Sequence, residues 1–276
     1  MIDTVEQPVQ PAPTTRPASM IMKLVLIIIS LLVIAGGISI TFYVTVARSA
    51  TLNAQATATV RHIVQAQAQA TYIASPQYLY NRITSRSPVL DDSLNNSNFS
   101  WSTASQGSSG CIFANGAYHL RLSPTDQYVT CFDKGSNYRN FLFQAYMTIN
   151  SGDTAGLLFN SSISQATIGT NNSTQGIPSF YSVVNVHSYY SIGSASNPRF
   201  PFLAFGKSSA FHSGFNQPNL LSVLVQGGSI SLYINKQFVS TVHDTTLSNG
   251  AIGFMASNTL HTNVDVAFSD ARLWIV

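Results

Sequence analysis

Asn219–Gln226 (NLLSVLVQ), Gly227-Gly228, Ser229–Asn235 (SISLYIN), Lys236-Gln237 and Phe238–Asp244 (FVSTVHD) form a run of alternating apolar segments cut by two short breaks. A Gly-Gly dipeptide between two such segments predicts a β-hairpin, because a tight primed turn needs positive φ at both central residues and glycine supplies it without strain. The second break, around Asn235-Lys236-Gln237, predicts another reversal. Two further strand-like runs follow, Ser248–Ser257 (SNGAIGFMAS) and Val264–Val276 (VDVAFSDARLWIV). The Asn219–Val276 ladder therefore sets the expectation of an antiparallel β architecture.

Upstream, FLFQAYMTI (Phe141–Ile149), AGLLFN (Ala155–Asn160), FYSVVNV (Phe180–Val186) and PFLAFG (Pro201–Gly206) read the same way, with turn signals such as Asn150-Ser151-Gly152-Asp153 between them. Many short strands without βαβ alternation and without a convincing soluble helix predict an all-β fold: a two-sheet antiparallel jelly-roll sandwich. Its expected span is 86–276, about 190 residues, enough for one substantial core.

The N-terminal part has a different texture. Leu24–Val46 carries no charge across 23 residues and is bounded by Lys23 and Arg48. As a helix it spans roughly 34 Å, enough to cross a bilayer. The expected organisation is a disordered Pro-rich cytoplasmic tail (1–22, with Pro8, Pro11, Pro13 and Pro17), a transmembrane signal-anchor helix (23–46), and an Ala/Gln-rich helical stalk and linker (47–85) before the sandwich. Basic residues are evenly split about the span (Arg16 and Lys23 against Arg48 and Arg61), so the positive-inside count is tied. The short N-terminal tail and the lone cysteine pair, Cys111 and Cys131, favour a single-pass protein of the cell membrane, with its N-terminus cytoplasmic and the C-terminal domain outside the cell. In that setting the pair is expected as a disulfide. Leu52, Val60, Ile63 and Val64 fall short of a sustained heptad, and oligomerisation through the stalk or the membrane helix is left open.

The formal net charge of +3 belongs to the N-terminal third. From Arg86 onward eight Lys/Arg face eight Asp, so the large region is formally neutral and offers no electrostatic footprint for nucleic acid.

The segments FLFQAYMTINSGDTAGLLF, FHSGFNQPNLLSVLVQGGSISLYINKQFVSTV, NGAIGFMAS and VDVAFSDARLWIV, in this order, resemble concanavalin A-like lectin/glucanase domains. They look closest to the bacterial subset labelled 3-keto-disaccharide hydrolase-like. The resemblance covers roughly Leu90–Val276 and implies two curved sheets, one of whose faces often binds saccharide. It implies no single activity, because lectins, hydrolases and interaction modules share the fold.

Sugar hydrolysis on this scaffold commonly uses two carboxylates. The chain has no glutamate after Glu6, and the nearest aspartate pair in a strand, Asp265 and Asp270, falls on opposite faces if the strand is regular. The six histidines (62, 119, 187, 212, 243 and 261) are scattered, and there is no Gly-x-Ser-x-Gly elbow. Enzymatic activity is therefore not expected, with an aspartate-based saccharide hydrolase and a structural or adhesive surface protein as the alternatives. No cofactor is expected. A structural calcium is left open at Asp91 or Asp92 with Asp270, should the terminal strands pair.

Saccharide binding without chemistry needs an aromatic platform with polar partners. The candidates are Trp101, Tyr189, Tyr190 and Arg199, with Tyr138, Tyr181, Phe211, Asn185 and Asn197 behind them. Adjacent strand residues point to opposite faces, so one of Tyr189 and Tyr190 must face outward. Five Asn-x-Ser/Thr sequons (Asn95, Asn98, Asn160, Asn171 and Asn172) carry weight only in a glycosylating host.

Overall fold

In the computed structural model, residues 18–73, 75–169, 179–195 and 202–276 are described. The chain divides into two compact units, Met1–Ala70 and Thr71–Val276.

The first unit is built on helix α1, Ala18–Ile73, 56 residues without a break. At 1.5 Å per residue it is about 84 Å long. It is the one helix among the described residues long and apolar enough to cross a membrane. The few polar side chains in its apolar stretch satisfy themselves within the helix: the Ser30, Ser39 and Thr45 hydroxyls donate to the carbonyls of Ile27, Ala35 and Thr41. That removes the cost of carrying hydroxyls into hydrocarbon.

The second unit is a β-sandwich. In chain order its strands are β1 (Leu90–Asp92), β2 (Ala104–Gln106), β3 (Ser109–Ala114), β4 (Ala117–Leu122), β5 (Tyr128–Phe132), β6 (Phe141–Ser151), β7 (Thr154–Ser161) and β8 (Thr167–Gly169). They continue with β9 (Phe180–Asn185), β10 (Tyr189–Ser194), β11 (Phe202–Lys207), β12 (Pro218–Gln226), β13 (Ser229–Ile234), β14 (Gln237–His243), β15 (Ala251–Ser257) and β16 (Val264–Ile275). One sheet of nine strands runs β14-β13-β12-β6-β16-β4-β3-β2, with β1 also paired to β16. The other, of seven, runs β11-β10-β9-β7-β15-β5-β8. Every strand pairing among the described residues is antiparallel, as the sequence predicts.

The hairpin turns follow from residue chemistry. Gly227 and Gly228 sit at φ 57° and 83°, and Asn235 and Lys236 at 49° and 67°. Asn235 tolerates this conformation because its side chain is anchored: Oδ1 accepts from the Leu220 N–H, and Nδ2 donates to Ala210 O and Asn219 Oδ1. Period-two alternation then fills the core. Phe141, Phe143, Ala145, Met147 and Ile149 of β6 face Ala155, Leu157 and Phe159 of β7 and Ile252, Phe254 and Ala256 of β15. Phe254 is central, with its ring centroid 4.3 Å from Phe268, 4.8 Å from Trp101 and 5.7 Å from Phe143. Cys111 on β3 and Cys131 on β5 form a fully buried disulfide that joins the two sheets.

One expectation is corrected here. Residues 76–84, assigned above to the linker, form helix α2 (Pro76–Thr84) and belong to the sandwich unit, which therefore does contain a helix. Ser75 caps it by accepting the Tyr78 N–H, and Pro76 opens its first turn. Tyr80 and Ile83, three apart and so on one helix face, pack on Leu142, Leu224, Tyr233 and Trp274, the outward residues of the nine-stranded sheet. Tyr80 stacks on Tyr233 at 4.6 Å and its hydroxyl donates to Gln144 Oε1 at 3.0 Å. The Tyr233 hydroxyl donates to Pro76 O. Gln77 reaches the edge strand β14, accepting the Phe238 N–H and donating to Lys236 O.

Candidate functional site

The register of the seven-stranded sheet sorts its side chains into two faces. Tyr190, Ile192, Val184, Ala155, Leu157, Phe254 and Cys131 turn toward the core. Tyr189 and Ser191 turn the other way, in line with Lys207 and Phe205 of β11 and with Val183, Gly156, Met255 and Thr130 across the sheet. The expected division of Tyr189 and Tyr190 is thus observed: Tyr189 is 41 % exposed, while Tyr190 packs against the core. Tyr190 lies directly over Gly206, where a Cβ would come within 2.9 Å of its ring, so a larger residue there would push the Tyr190 ring aside.

Tyr189 is set in place by the turn before it. Asn185 Oδ1 accepts the N–H groups of His187 and Tyr189, and Ser188 takes φ 71° between them. Across the ladder, Tyr189 pairs with Lys207, and its ring lies parallel to that of Phe205, 8° between planes and 5.7 Å between centroids. The Lys207 ammonium sits 5.6 Å from the Tyr189 ring centroid, within cation–π range. Phe205 is 67 % exposed and Phe202 60 %. These two are three residues apart and would take opposite faces of a regular strand. A bulge between Ile192 and Gly193, opposite Leu203, resets the alternation and turns both outward. The result is an apolar, solvent-facing aromatic strip along β10 and β11.

Further along this face lies a small apolar cluster, Phe132, Leu158 and Ala251 with Ile163, Tyr181 and Met255 against it. Burial pushes the Tyr181 phenol up to about 12. Beside this cluster, Thr130 is buried and its Oγ1 has no hydrogen-bond partner.

The other candidates are placed elsewhere. Trp101 does not offer its ring to solvent: it is 3 % exposed, stacked on Phe254, with its indole N–H donating to Asp92 Oδ2 at 2.8 Å. Sequence could not separate it from a surface tryptophan, because its burial comes from the packing of β15 above it. Phe211 is core and Tyr138 packs against Phe141. Arg199 and Asn197 lie outside the described residues.

The carboxylates are committed to structure. The terminal strands do pair, with Asp91 opposite Arg272 and Asp92 opposite Ala271. Asp91 accepts from Arg272 Nε at 2.9 Å, while Asp92 turns inward to Trp101 and to the Leu94 N–H. Asp270 occupies a second bulge, at φ 51°, and accepts from the Ser269 hydroxyl. β16 is therefore not the regular strand assumed for the Asp265/Asp270 spacing. Among the described residues no three His, Cys, Asp or Glu side chains group as metal ligands.

Asp265 lies on the outward face of the nine-stranded sheet. It is held 2.7 Å from His119 Nδ1 and accepts from Arg121 Nε and Asn150 Nδ2, each at 3.3 Å. Burial pushes its carboxyl upward, but hydrogen bonding and charge from His119, with Asn150 and Arg121, outweigh it and hold it below its ordinary range. Asp133 is shifted the other way, raised first by burial and also by nearby Asp92, against the Ser100 hydrogen bond.

No protein-family profile matches the chain, and no curated protein matches it in sequence. Its fold is similar to that of a protein of unknown function with a galectin-like fold from Bacillus subtilis, at 11 % identity over 69 % of this chain and 96 % of that one, TM-score 0.53. A carbohydrate-binding module, CBM66, from Bacillus subtilis aligns at 15 % identity over 64 % of this chain and 97 % of that one, TM-score 0.49. A β-glucanase from Bacillus licheniformis aligns at 13 % identity over 68 % and 98 %, TM-score 0.44. At these identities the likeness is one of architecture alone: the second unit is a two-sheet antiparallel jelly-roll sandwich.

Proposed function

We propose that this chain is a single-pass membrane protein that displays a non-catalytic, saccharide-binding sandwich at the cell surface. The observation that carries the reading is the parallel, solvent-facing Tyr189–Phe205 pair. A pyranose ring presents a face of C–H groups, and an exposed, parallel-stacked aromatic pair offers it an apolar surface of matching polarity. α1 supplies the anchor, and the proline-rich tail with the single disulfide in the sandwich supports a cytoplasmic N-terminus and an exported C-terminal domain. The non-catalytic part rests on the carboxylates. A carboxyl held ionised by His119, Arg121 and Asn150 is a poor proton donor, and Asp270 is turned aside by its bulge.

The test is a glycan array probed with the full chain in lipid nanodiscs, beside Tyr189→Ala and Phe205→Ala. Each variant is expected to weaken the best hit by about tenfold or more, the loss from uncovering one aromatic side chain. Unaltered binding in both variants would reject the site, and an array blank for the native chain would reject saccharide binding.

A further inference from the structure

The outward face of the seven-stranded sheet carries an uneven charge. Apart from Lys207, the positions in register across it are uncharged: Phe205, Ser191, Val183, Gly156, Met255 and Thr130 in the central row, with Tyr189, Asn185 and Thr154 beside them. Lys207 has no carboxylate partner among the described residues, whereas Arg121 is matched to Asp265 and Arg272 to Asp91 on the opposite sheet. Asp153, at the head of β7, is buried and accepts from the Thr154 and Thr259 hydroxyls, so it does not answer the ammonium. In a sandwich with few charges, one unpaired cation on an aromatic platform dominates the local field.

We propose that the saccharide taken by this face is anionic, carrying a carboxylate or sulfate that Lys207 neutralises while Tyr189 and Phe205 cover a ring face. The inference rests on the saccharide-binding reading above and adds the chemical class of the ligand. Cation–π contact with Tyr189 holds the lysine head over the platform rather than leaving it to sweep through solvent. Its ammonium therefore lies beside the place where a stacked sugar would project its acidic group. A neutral sugar gains only the stacking.

The experiment titrates the full chain in nanodiscs with matched pairs that differ in charge alone: oligogalacturonate against its methyl ester, and dextran sulfate against dextran. The first pair reports a carboxylate ligand and the second a sulfate. The expected result is about tenfold tighter binding of the anionic member of at least one pair. That preference should vanish in Lys207→Gln, survive in Lys207→Arg, and shrink as salt rises from about 0.05 to 0.5 M. Lys207 is exposed, so Lys207→Gln should melt with the native chain. Equal binding of charged and neutral members, or a preference that persists in Lys207→Gln, overturns the inference and leaves saccharide binding standing. Failure of all four probes overturns the anionic assignment, and a blank glycan array alongside it overturns saccharide binding as well.

Discussion

Replacing Tyr80 with alanine tests whether α2 is an integral layer of the sandwich. Its side chain is 2 % exposed, stacked on Tyr233, and hydrogen-bonded to Gln144, itself buried and approached by the Ser222 hydroxyl at 3.4 Å. Truncating a buried aromatic costs about 3–5 kcal/mol once the cavity is included. In a folding unit of this size each kcal/mol lowers the melting temperature by about 2–4 °C. Tyr80→Ala should therefore melt on the order of 10 °C below the native chain. Tyr80→Phe keeps the ring and removes only the hydroxyl, leaving Gln144 with its weaker Ser222 contact. That change should cost about 1 kcal/mol, or about 2–4 °C. The assay is a thermal melt of the full chain in nanodiscs, followed by near-ultraviolet circular dichroism, whose signal comes mainly from the sandwich aromatics. A Tyr80→Ala melt within about 2 °C of native would refute the reasoning, because α2 would then be a linker resting on the sheet.

Two other outcomes follow from the same packing. Reducing the Cys111–Cys131 bridge, which spans 20 residues, should cost about 3 kcal/mol and lower the melt by about 6–12 °C; two reactive thiols with an unchanged melt would contradict this. Asp265 titrates below its ordinary range in the fold, so its contribution is fully present above the unfolded carboxyl value, near pH 4, and is lost as pH falls through the lower folded value. Asp265→Asn should flatten that part of the acid limb of the stability–pH curve, and an acid limb identical to native would show that the His119–Asp265–Arg121 cluster contributes nothing.

Much of the architecture is legible in local chemistry. Gly227-Gly228 marks a turn by the one residue type that enters positive φ freely, and Asn235 marks the next by being the side chain that best tolerates it. Tyr189 and Tyr190 divide between faces because they sit in a regular stretch of β10. Legibility fails at the bulges. Phe202 and Phe205 look like opposite-face residues until the Ile192/Gly193 irregularity is known, and Asp265 with Asp270 is misread for the same reason. α2 is hidden differently. Nine residues with two buried apolar side chains form too weak a helix by themselves, and its stability comes from a sheet surface assembled from distant strands. The Asp265 cluster brings in His119 from 146 positions away, a proximity that no spacing rule contains.

β16 has a bearing on how the molecule comes into being. It follows every other strand in chain order, yet it lies in the middle of its sheet, with β6 on one flank and β4 and β1 on the other. Until it emerges during synthesis, β14-β13-β12-β6 and β4-β3-β2 are two separate ribbons, each with an unpaired inner border. The nascent chain must keep this gap open through all the residues before Val264, a window in which either border can zip onto a neighbouring polypeptide. Quality control should therefore be most demanding late. A chain lacking Val264–Ile275 would leave the two half-sheets without the strand that joins them and should be sent to degradation.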